Sequence, residues 1–313
     1  MKPKILLTGK NGQVGAELER VLAASSELLA MGRQELDLSR PECVRTAIRD
    51  IRPHLIINAA AYTAVDQAEG NQATAHAVNA EAPVVMAEEA KRIGAALIQY
   101  STDYVFDGRK SSPYIEDDSP NPINVYGKTK LAGEQGIEKV GGLYLIIRTA
   151  WVYGTQGKNF LLTILRLGAE REELRIVSDQ IGAPTWSHRI ALATSKILTE
   201  EWKRCQGALP FSTSSGIYHM TAAGQCSWWE FAKAIVEEVQ HAPHNAAWLT
   251  AATGGRPLIV KRISPITTSD YPTPARRPAY SVLSNLRLKQ SFDIQLPDWR
   301  AQLHTAISGE EVQ

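Results

Sequence analysis

A tyrosine and a lysine four residues apart, Tyr126 and Lys130, have the spacing of an acid–base pair. On a helix, this spacing places both side chains on one face, one turn apart. A free tyrosine has a pKa of about 10 and is a poor proton carrier at neutral pH. A neighbouring ammonium favours the tyrosinate, so Lys130 is expected to lower the pKa of Tyr126. The pair could then pass a proton to or from a sugar or alcohol oxygen, although solvated helix faces show the same spacing.

A glycine-rich turn near the start of the chain has the form expected of a phosphate-binding loop. Its glycines, Gly9, Gly12 and Gly15, follow a predicted strand with the spacing G-x-x-G-x-x-G. The first permits a tight turn, the second lets the backbone approach a pyrophosphate, and the third lets helix and strand pack closely. The helix N-terminus then faces the anion with free N–H groups. The other residues of this turn predicted to contact a dinucleotide are Asn11, Gln13 and Val14.

The residues after the second predicted strand bear on which dinucleotide binds. NAD sites usually carry an acidic residue there, which holds the ribose 2′-hydroxyl. The segment Ala30–Arg33 has none, whereas the guanidinium of Arg33 can pair with a 2′-phosphate. Asp37 and Leu38 follow and are expected to line the adenine pocket. We predict NADPH, with NADH tolerated; an ordinary surface position of Arg33 is the alternative.

Two more predicted strands end in small or polar residues. Ligands of parallel α/β sheets bind at the carboxyl ends of strands. Thr102 follows the fourth strand and is placed to hydrogen-bond a substrate carbonyl beside Tyr126. Alanines after the third strand would let a cofactor lie against the backbone, although close packing of strand and helix requires small residues too. These alanines are Ala59, Ala60 and Ala61.

The order of the predicted elements indicates the fold class. Apolar strand-like runs alternate with helical segments from Lys4 to Trp151. Repeated β-α-β units with continuously apolar strands indicate a parallel sheet covered on both faces, the doubly wound Rossmann architecture of the α/β class. The predicted strands are Lys4–Thr8, Glu27–Met31, Leu55–Asn58, Ala96–Ser101 and Leu143–Trp151. The predicted helices are Ala16–Ala24, Pro41–Ile51 with Ser39 as its N-cap, Ala73–Ile93 and Tyr126–Lys139.

Beyond Trp151 the pattern loosens, which suggests a second, smaller unit. We predict a dinucleotide-binding domain over residues 1–150, with its sheet completed by segments near 186–221. Residues 151–313 are predicted to form mostly a C-terminal substrate-binding lobe. The elements predicted in this half are helices Asn159–Arg171, His188–Arg204 and Trp228–Val239, a strand Ile217–Met220 that returns to the sheet, and a mobile loop His241–Gly255 that opens an irregular remainder.

Composition excludes several classes of protein. The chain has 313 residues, of which 44% are hydrophobic and 21% charged, as in globular proteins. Lys+Arg 34 against Asp+Glu 33 gives a net charge of +1, so no basic excess points to nucleic acid or an anionic membrane. We find no signal peptide and no apolar run that could span a bilayer. The three cysteines match no zinc spacing or disulfide framework, which predicts the reducing cytoplasm.

With these motifs, the chain resembles the extended short-chain dehydrogenase/reductases and, within them, the dTDP-4-dehydrorhamnose reductase family. The resemblance covers nearly the whole chain, and its motifs together are far more specific than Tyr126 and Lys130 alone. The blocks that carry it are Gly9–Gly15, Asn58–Asp66, Ser101–Gly108, Val125–Glu134, Arg148–Gly154, Asn159–Phe160, Asp179–Thr185 and Tyr271–Pro278.

The resemblance implies a mechanism. The nicotinamide delivers hydride to C4 of a 4-keto-6-deoxysugar bound through its nucleotide, and Tyr126 protonates the incipient alkoxide. Lys130 lowers the tyrosine pKa and holds the nicotinamide ribose, while Thr102 steadies the oxygen as a preorganised donor. Arg277 is expected to meet the diphosphate, or else to pin its proline-flanked loop. The positions that match family residues around the sugar are Thr63, Val65, Asp103 and Trp151, the last of which offers an apolar wall.

Two departures from the family pattern are visible. Some members hold a magnesium ion at a dimer interface through clustered glutamates. One matching position is Glu17, but the other two fall at His188 and Arg300, which are poor ligands for a hard cation. We therefore predict no such metal site. The segment from about His241 to Val260 is also longer than in typical members, which leaves the sugar nucleotide less defined than the reaction.

Two other functions stay open at this point. An enzyme for another nucleotide 4-ketosugar, a reductase or an epimerase, shares the Tyr-x-x-x-Lys spacing. A non-catalytic regulatory subunit can keep the same fold without turnover, although the set Thr102, Tyr126 and Lys130 argues against it. The expected partner is a nucleotide sugar, with no nucleic acid and no membrane, and a homodimer is an open alternative to a monomer.

Overall fold

The protein is built around a parallel β-sheet, seen in a computed structural model that describes residues 2–205, 210–241 and 247–309. In this part of the chain the sheet has the order β2-β1-β3-β4-β5-β10, with every neighbouring pair parallel. The predicted doubly wound α/β fold is therefore confirmed. The strands of the sheet are β1 (Lys4–Thr8), β2 (Glu27–Met31), β3 (Leu55–Asn58), β4 (Ala96–Thr102), β5 (Leu143–Thr149) and β10 (Gly216–His219).

Helices cover both faces of the sheet because its strands are apolar on both sides. Along β3, Leu55 and Ile57 belong to one core, whereas Ile56 belongs to the other. Helices α1, α8 and α11 pack on the first face, and α2, α5 and α6 on the second. These helices are α1 (Gln13–Leu22), α2 (Pro41–Ile51), α5 (Ala82–Ile93), α6 (Val125–Val140), α8 (Ser187–Cys205) and α11 (Leu286–Phe292). Two short helices, α3 (Val65–Ala68) and α4 (Gln72–His76), precede α5.

A third apolar core lies in the C-terminal half, away from the sheet. It joins Leu165, Phe231 and Leu303, which are buried on three different helices. The helices that contribute to this core are α7 (Phe160–Gly168), α9 (Trp228–His241), α10 (Ala247–Thr253) and α12 (Trp299–Ser308). The strands outside the main sheet pair two by two, and they are β6 (Val152–Tyr153), β7 (Glu173–Val177), β8 (Ile181–Gly182), β9 (Thr185–Trp186), β11 (Cys226–Ser227) and β12 (Arg262–Ile266). The division into domains near residue 150 stays a prediction.

Several local predictions differ from the structure. Ser39 does not cap α2: the N-cap is Arg40, and Ser39 instead donates to Asp37 through its N–H and its hydroxyl. Helix α1 begins at Gln13 rather than Ala16, since Gly12 already has the extended backbone of an N-cap. Strand β5 ends at Thr149 because Trp151 has a positive φ of 46°, which an extended strand cannot contain.

The helix predicted over Ala73–Ile93 contains a π-helical stretch, Ala77–Glu81, between α4 and α5. Such bulges often occur at functional sites. Here the stretch contains Asn79, whose amide accepts from the Tyr62 backbone N–H at 2.8 Å. The same amide donates to the Thr129 hydroxyl at 3.1 Å. The bulge therefore ties the loop after β3 to helix α6.

The mobile loop and irregular remainder predicted from His241 onward are wrong where the structure describes them. Ala247–Thr253 is helical, with Leu249 and Thr253 buried. Strand β12 pairs in parallel with β7, and two further helices follow it. Residues 242–246 lie outside the described residues. Among the described residues, no helix combines the length and apolar character that crossing a membrane requires.

The ion pairs of Glu89 should make the stability of the fold depend on pH. Glu89 on α5 is buried and meets Arg45 at 2.8 Å, Arg49 at 2.8 Å and Arg92 at 2.6 Å. Hydrogen bonds from Arg49 above all lower the pKa of Glu89 from 4.5 to about 2. A depressed carboxylate pKa stabilises the fold above the unfolded-state value, and this stabilisation is lost as the pH falls through the folded-state value.

We expect Glu89→Gln to lower the free energy of unfolding at pH 7 by about 1.5–3 kcal/mol, since charge-assisted hydrogen bonds are lost. The deficit should shrink as the pH falls from 4.5 towards 2. Urea denaturation at several pH values measures both. Glu88→Gln is the matched control, because Glu88 is exposed and contacts Arg45 at 3.3 Å. A deficit that is equal at all pH values would contradict the assignment.

Candidate active site

A cleft of about 950 Å³ runs along the carboxyl ends of the sheet strands. Its walls come from the segments after β1 to β5 and, on the other side, from Trp228 and Arg277 of the C-terminal half. Every residue predicted above to bind cofactor or substrate, or to act in catalysis, lines this cleft except Gly15. The structure thus brings the candidates together, while their individual roles stay predictions.

The glycine turn closes tightly against the segment after β3. Gly9 has a φ of +80°, and a Cβ added there would lie 2.7 Å from the Ala60 backbone nitrogen. A Cβ at Gly15 would lie 2.0 Å from the Gly9 carbonyl oxygen, which explains why Gly15 packs under the turn instead of lining the cleft. No side chain caps the start of α1, and its first turn has no acidic residue. The positive end of this helix dipole is therefore available to an anion.

The end of the cleft beyond β2 carries an exposed cation. The side chain of Arg33 is 80% exposed, and its Nε lies 3.9 Å from an Asp37 carboxylate oxygen. Hydrogen bonds from Ser39 lower the pKa of Asp37. An acidic residue nearby, Glu35, was not singled out from the sequence; it accepts from the Gly32 N–H at 2.9 Å and pairs with Lys10 at 2.6 Å. Its oxygens are therefore already bonded to protein groups.

A buried chain of hydrogen bonds crosses the sheet and ends at Lys130. The Thr8 hydroxyl donates to Asn58 at 2.6 Å, and the Asn58 amide donates to Gln99 at 2.7 Å. The Gln99 amide donates to the Tyr100 carbonyl oxygen at 2.7 Å, which also accepts from Lys130 Nζ at 2.6 Å. The sequence reasoning did not predict this chain. The sequence feature that could have indicated these bonds is a pair of amide side chains, Asn58 and Gln99, at buried positions of otherwise apolar strands.

Tyr126 enters the cleft on the first turn of α6. Asn124 caps this helix by accepting from the Gly127 N–H at 2.8 Å, and its amide donates to the Arg276 carbonyl oxygen at 2.7 Å. A Cβ at Gly127 would lie 2.1 Å from the Tyr104 carbonyl oxygen, so the helix start lies directly against the segment after β4. The rings of Tyr126 and Tyr104 meet edge-to-face at 5.6 Å. These contacts fix where the Tyr126 ring points.

The pKa of Tyr126 shifts in the opposite direction from the sequence-based prediction. Burial raises the pKa of Tyr126 to about 12, while a hydrogen bond with Thr102 opposes the rise. Burial also lowers the pKa of Lys130 to about 8, and the charge of Glu134 opposes that fall. The predicted net fall of the tyrosine pKa is therefore not seen, because burial dominates the shift. The Lys130 ammonium donates to the Tyr100 carbonyl oxygen, and its effect on the tyrosinate stays a prediction. A neutral Tyr126 is a proton donor at pH 7.

Thr102 and Asp103 form a buried polar pair beside Tyr126. The Thr102 hydroxyl donates to Asp103 Oδ1 at 3.0 Å and accepts from the Tyr104 N–H at 3.1 Å. Among the described residues, Asp103 Oδ2 has no hydrogen-bond partner. Burial raises the pKa of Asp103 from 3.8 to about 6, with hydrogen bonds from Ser281 and Thr102 opposing it. An unpartnered buried oxygen on a residue that lines the cleft is suited to a ligand hydroxyl.

Arg277 both lines the cleft and pins its loop. Its Nη2 lies 2.7 Å from Asp66 Oδ2, and its Nη1 donates to the Ala275 carbonyl oxygen at 3.0 Å. Asp66 follows Val65, the first residue of α3, so this ion pair joins the loop of Arg277 to the wall that carries Thr63 and Val65. Part of the guanidinium charge is thereby neutralised before any ligand binds.

Aromatic rings form the wall of the cleft on the side of the C-terminal half. The ring of Trp151 stacks on that of Trp228 with centroids 3.5 Å apart and planes 6° apart. Phe160 lies against the Trp228 ring at 4.5 Å. Sequence reasoning did not single out Trp228 or Phe160 as site residues, because nothing local in the chain indicates that helix α9 approaches Trp151.

The three residues that match the family's magnesium ligands, Glu17, His188 and Arg300, contact oppositely charged or polar side chains instead. Glu17 Oε2 lies 3.0 Å from His188 Nδ1 and 2.8 Å from Arg20 Nη2. Arg300 pairs with Glu237 at 2.7 Å. Within the described ranges, no three His, Cys, Asp or Glu side chains group in a way that could hold a metal ion. The absence of magnesium stays a prediction.

The raised pKa of Asp103 predicts how its replacement affects stability. Between the unfolded value of 3.8 and the folded value of about 6, the folded state binds the proton more tightly, so stability is lost as the pH rises through 6. Asp103→Asn cannot ionise and should gain roughly 1–3 kcal/mol relative to the wild type between pH 4 and pH 7.5. Urea denaturation at both pH values measures it. A difference in unfolding free energy between variant and wild type that is the same at both pH values would contradict the raised pKa of Asp103.

Comparison with known proteins identifies the family. The model of the RmlD substrate binding domain matches residues 2–311. The dTDP-4-dehydrorhamnose reductase of Burkholderia thailandensis is 53% identical over 298 residues, covering 95% of each chain. That of Escherichia coli K12 is 42% identical, covering 95% of this chain and 94% of the relative. The solved dTDP-4-dehydrorhamnose reductase of Bacillus anthracis, in complex with NADP, superposes with a TM-score of 0.85 at 35% identity, covering 99% and 100% of the two chains. The chain therefore belongs to the RmlD family, the family of the dTDP-4-dehydrorhamnose reductases.

Proposed function

We propose that the protein is a dTDP-4-dehydrorhamnose reductase, which reduces the C4 carbonyl of dTDP-4-dehydro-L-rhamnose to give dTDP-L-rhamnose. The observation that carries the proposal is the meeting of Tyr126, Thr102 and Lys130 with a glycine turn in one cleft. Membership of the family over nearly the whole chain supports it. The substrate partner is thus a nucleotide sugar, and the cofactor is NADPH, with NADH also accepted.

The residues present fit a nicotinamide dinucleotide. The uncapped start of α1 and the tight glycine turn would receive the pyrophosphate. Ala59, Ala60 and Ala61 would leave room along the backbone, and Arg33 would face a 2′-phosphate. When bound, the dinucleotide supplies the hydride that reduces the carbonyl carbon.

Tyr126 is the proton donor in this mechanism. Its raised pKa keeps the hydroxyl protonated at pH 7, so a proton is available when charge develops on the sugar oxygen. Thr102 hydrogen-bonds Tyr126 and orients its hydroxyl. To donate to the sugar oxygen as well, the Thr102 hydroxyl would turn away from Asp103, to which it donates in this structure. Lys130 is mostly protonated below its pKa of about 8, and its charge stabilises the tyrosinate that remains after transfer.

The substrate would be held by residues from both walls of the cleft. Arg277 would offer its remaining donors to the diphosphate, with Asp66 fixing the orientation of the guanidinium. Asp103 Oδ2 would accept from a sugar hydroxyl, and Thr63 and Val65 would flank the ring. The proposal includes a cytoplasmic location; whether the enzyme works as a homodimer is decided by sedimentation of the purified protein.

The direct test follows NADPH oxidation by its absorbance, with dTDP-4-dehydro-L-rhamnose generated in situ by the enzymes that make it. We expect rapid oxidation and formation of dTDP-L-rhamnose. A protein that binds NADPH but oxidises none with this substrate would contradict the proposed substrate. Oxidation with another nucleotide 4-ketosugar alone would assign that sugar instead.

Tyr126→Phe removes the proton donor without removing the ring. We expect turnover to fall by roughly 10²–10⁴-fold, as for loss of a general acid, with little change in NADPH affinity. Tyr144→Phe is the matched control, since Tyr144 lies on β5 and does not line the cleft. Near-normal turnover of Tyr126→Phe would show that another group donates the proton.

Arg33→Ala tests the choice of cofactor. Loss of a charge-assisted contact to the 2′-phosphate should weaken NADPH binding by roughly 10–100-fold and leave NADH binding nearly unchanged. Titration of each cofactor measures the difference. Arg40→Ala is the control, because Arg40 is exposed and outside the cleft lining. Equal losses for both cofactors would mean that Arg33 does not contact the 2′-phosphate.

A further inference from the structure

Both faces of the Trp151 ring are covered by protein. A methyl group added at Gly182 would lie 2.3 Å from Trp151 Cε2, 2.6 Å from Nε1 and 2.7 Å from Cζ2. A point beside the edge of the ring would be closer to Nε1 and Cζ2 than to Cε2. Because this point is closest to Cε2, it lies above the plane of the ring. The backbone of Gly182 therefore packs against one face of the indole.

The other face is covered by Trp228. The two indoles are parallel within 6° and their centroids are 3.5 Å apart, which leaves no room for Gly182 on the same side. The backbone of Trp151 has a positive φ of 46°, a conformation that persists only where the surroundings impose it. Here its carbonyl oxygen accepts from the Thr185 N–H at 3.2 Å. In this state Trp151 can present only its edge to the cleft.

Of the two rings, Trp228 is the candidate to move. Besides Trp151 it contacts the side chain of Phe160 at 4.5 Å, whereas Trp151 also lies against the backbone of Gly182. Trp228 is the first residue of α9 and half-buried, and no hydrogen bond of its indole N–H occurs among the described residues. Its neighbour Trp229 is anchored, because its indole N–H donates to the Ile263 carbonyl oxygen at 2.9 Å. Rotation of the Trp228 side chain would expose an apolar, flat surface on Trp151 that lines the cleft.

We propose that Trp228 is a side-chain gate that covers the Trp151 face until the sugar ring of the substrate replaces it. The inference rests on the proposed function, which supplies a deoxyhexose with an apolar ring face. The sugar ring takes the place of the Trp228 indole on Trp151, and the gate closes again when the sugar leaves. Because only the open state binds the sugar, the closed stack reduces the apparent affinity by the open fraction.

Circular dichroism can detect the closed gate, because the electronic transitions of two stacked indoles couple and give a pair of bands of opposite sign. We expect dTDP-L-rhamnose to abolish this signal in the wild-type protein, and dTDP, which has no sugar ring, to leave it intact. Trp228→Ala should bind dTDP-L-rhamnose roughly 2–10-fold more tightly, because no stack has to be broken. Its affinity for dTDP should not change.

Two further variants complete the test. Trp228→Phe keeps an aromatic ring and should fall between the wild type and Trp228→Ala. Trp229→Phe should leave the affinity for dTDP-L-rhamnose unchanged. Weaker or unchanged dTDP-L-rhamnose binding by Trp228→Ala would overturn the gate, as would a coupled signal that survives saturation with dTDP-L-rhamnose. If the wild-type protein binds NADPH but neither dTDP nor dTDP-L-rhamnose, the proposed function is wrong. The proposal that a sugar ring replaces Trp228 on Trp151 is then wrong as well.

Discussion

The buried hydrogen bond between the Lys130 ammonium and the Tyr100 carbonyl oxygen organises the rest of the site. A desolvated cation is costly unless its donors are satisfied. Here the carbonyl is held in place by Gln99, and Gln99 in turn by Asn58. These bonds, with that from Thr8 to Asn58, connect β1, β3 and β4 near their carboxyl ends and join β4 to helix α6. The geometry of the cleft follows from this network and from the tight packing of glycines around it.

Burial, rather than a charge pair, determines the protonation of the two central residues. The pKa of Tyr126 rises to about 12 and that of Lys130 falls to about 8, both chiefly by desolvation. A neutral tyrosine beside a cationic lysine suits the reductive direction, since a proton must be given to an oxygen that becomes negative. The C-terminal half contributes Trp228 and Arg277 to the opposite wall, and these residues complete a site that the sheet alone leaves open.

Much of this could be predicted from the sequence, because the decisive patterns are local. Gly9 and Thr102 follow apolar strands, and the carboxyl ends of parallel strands must meet at one edge. The predictions failed where the physics depends on contacts between distant segments. No local pattern places Trp228 on Trp151, and the sign of the Tyr126 pKa shift depends on burial that only the folded chain creates. The helix Ala247–Thr253 is stabilised by burial of Leu249, which its alanine-rich sequence did not indicate.

The most direct test of the account is the fate of the hydride. NADPH carrying two deuterium atoms at C4 of its nicotinamide is incubated with dTDP-4-dehydro-L-rhamnose and the protein, and the sugar product is examined by NMR. The account predicts dTDP-L-rhamnose with deuterium at C4 and one deuterium left on the oxidised cofactor. A sugar product without deuterium at C4, or a cofactor that keeps both labels while the sugar epimerises, would contradict it.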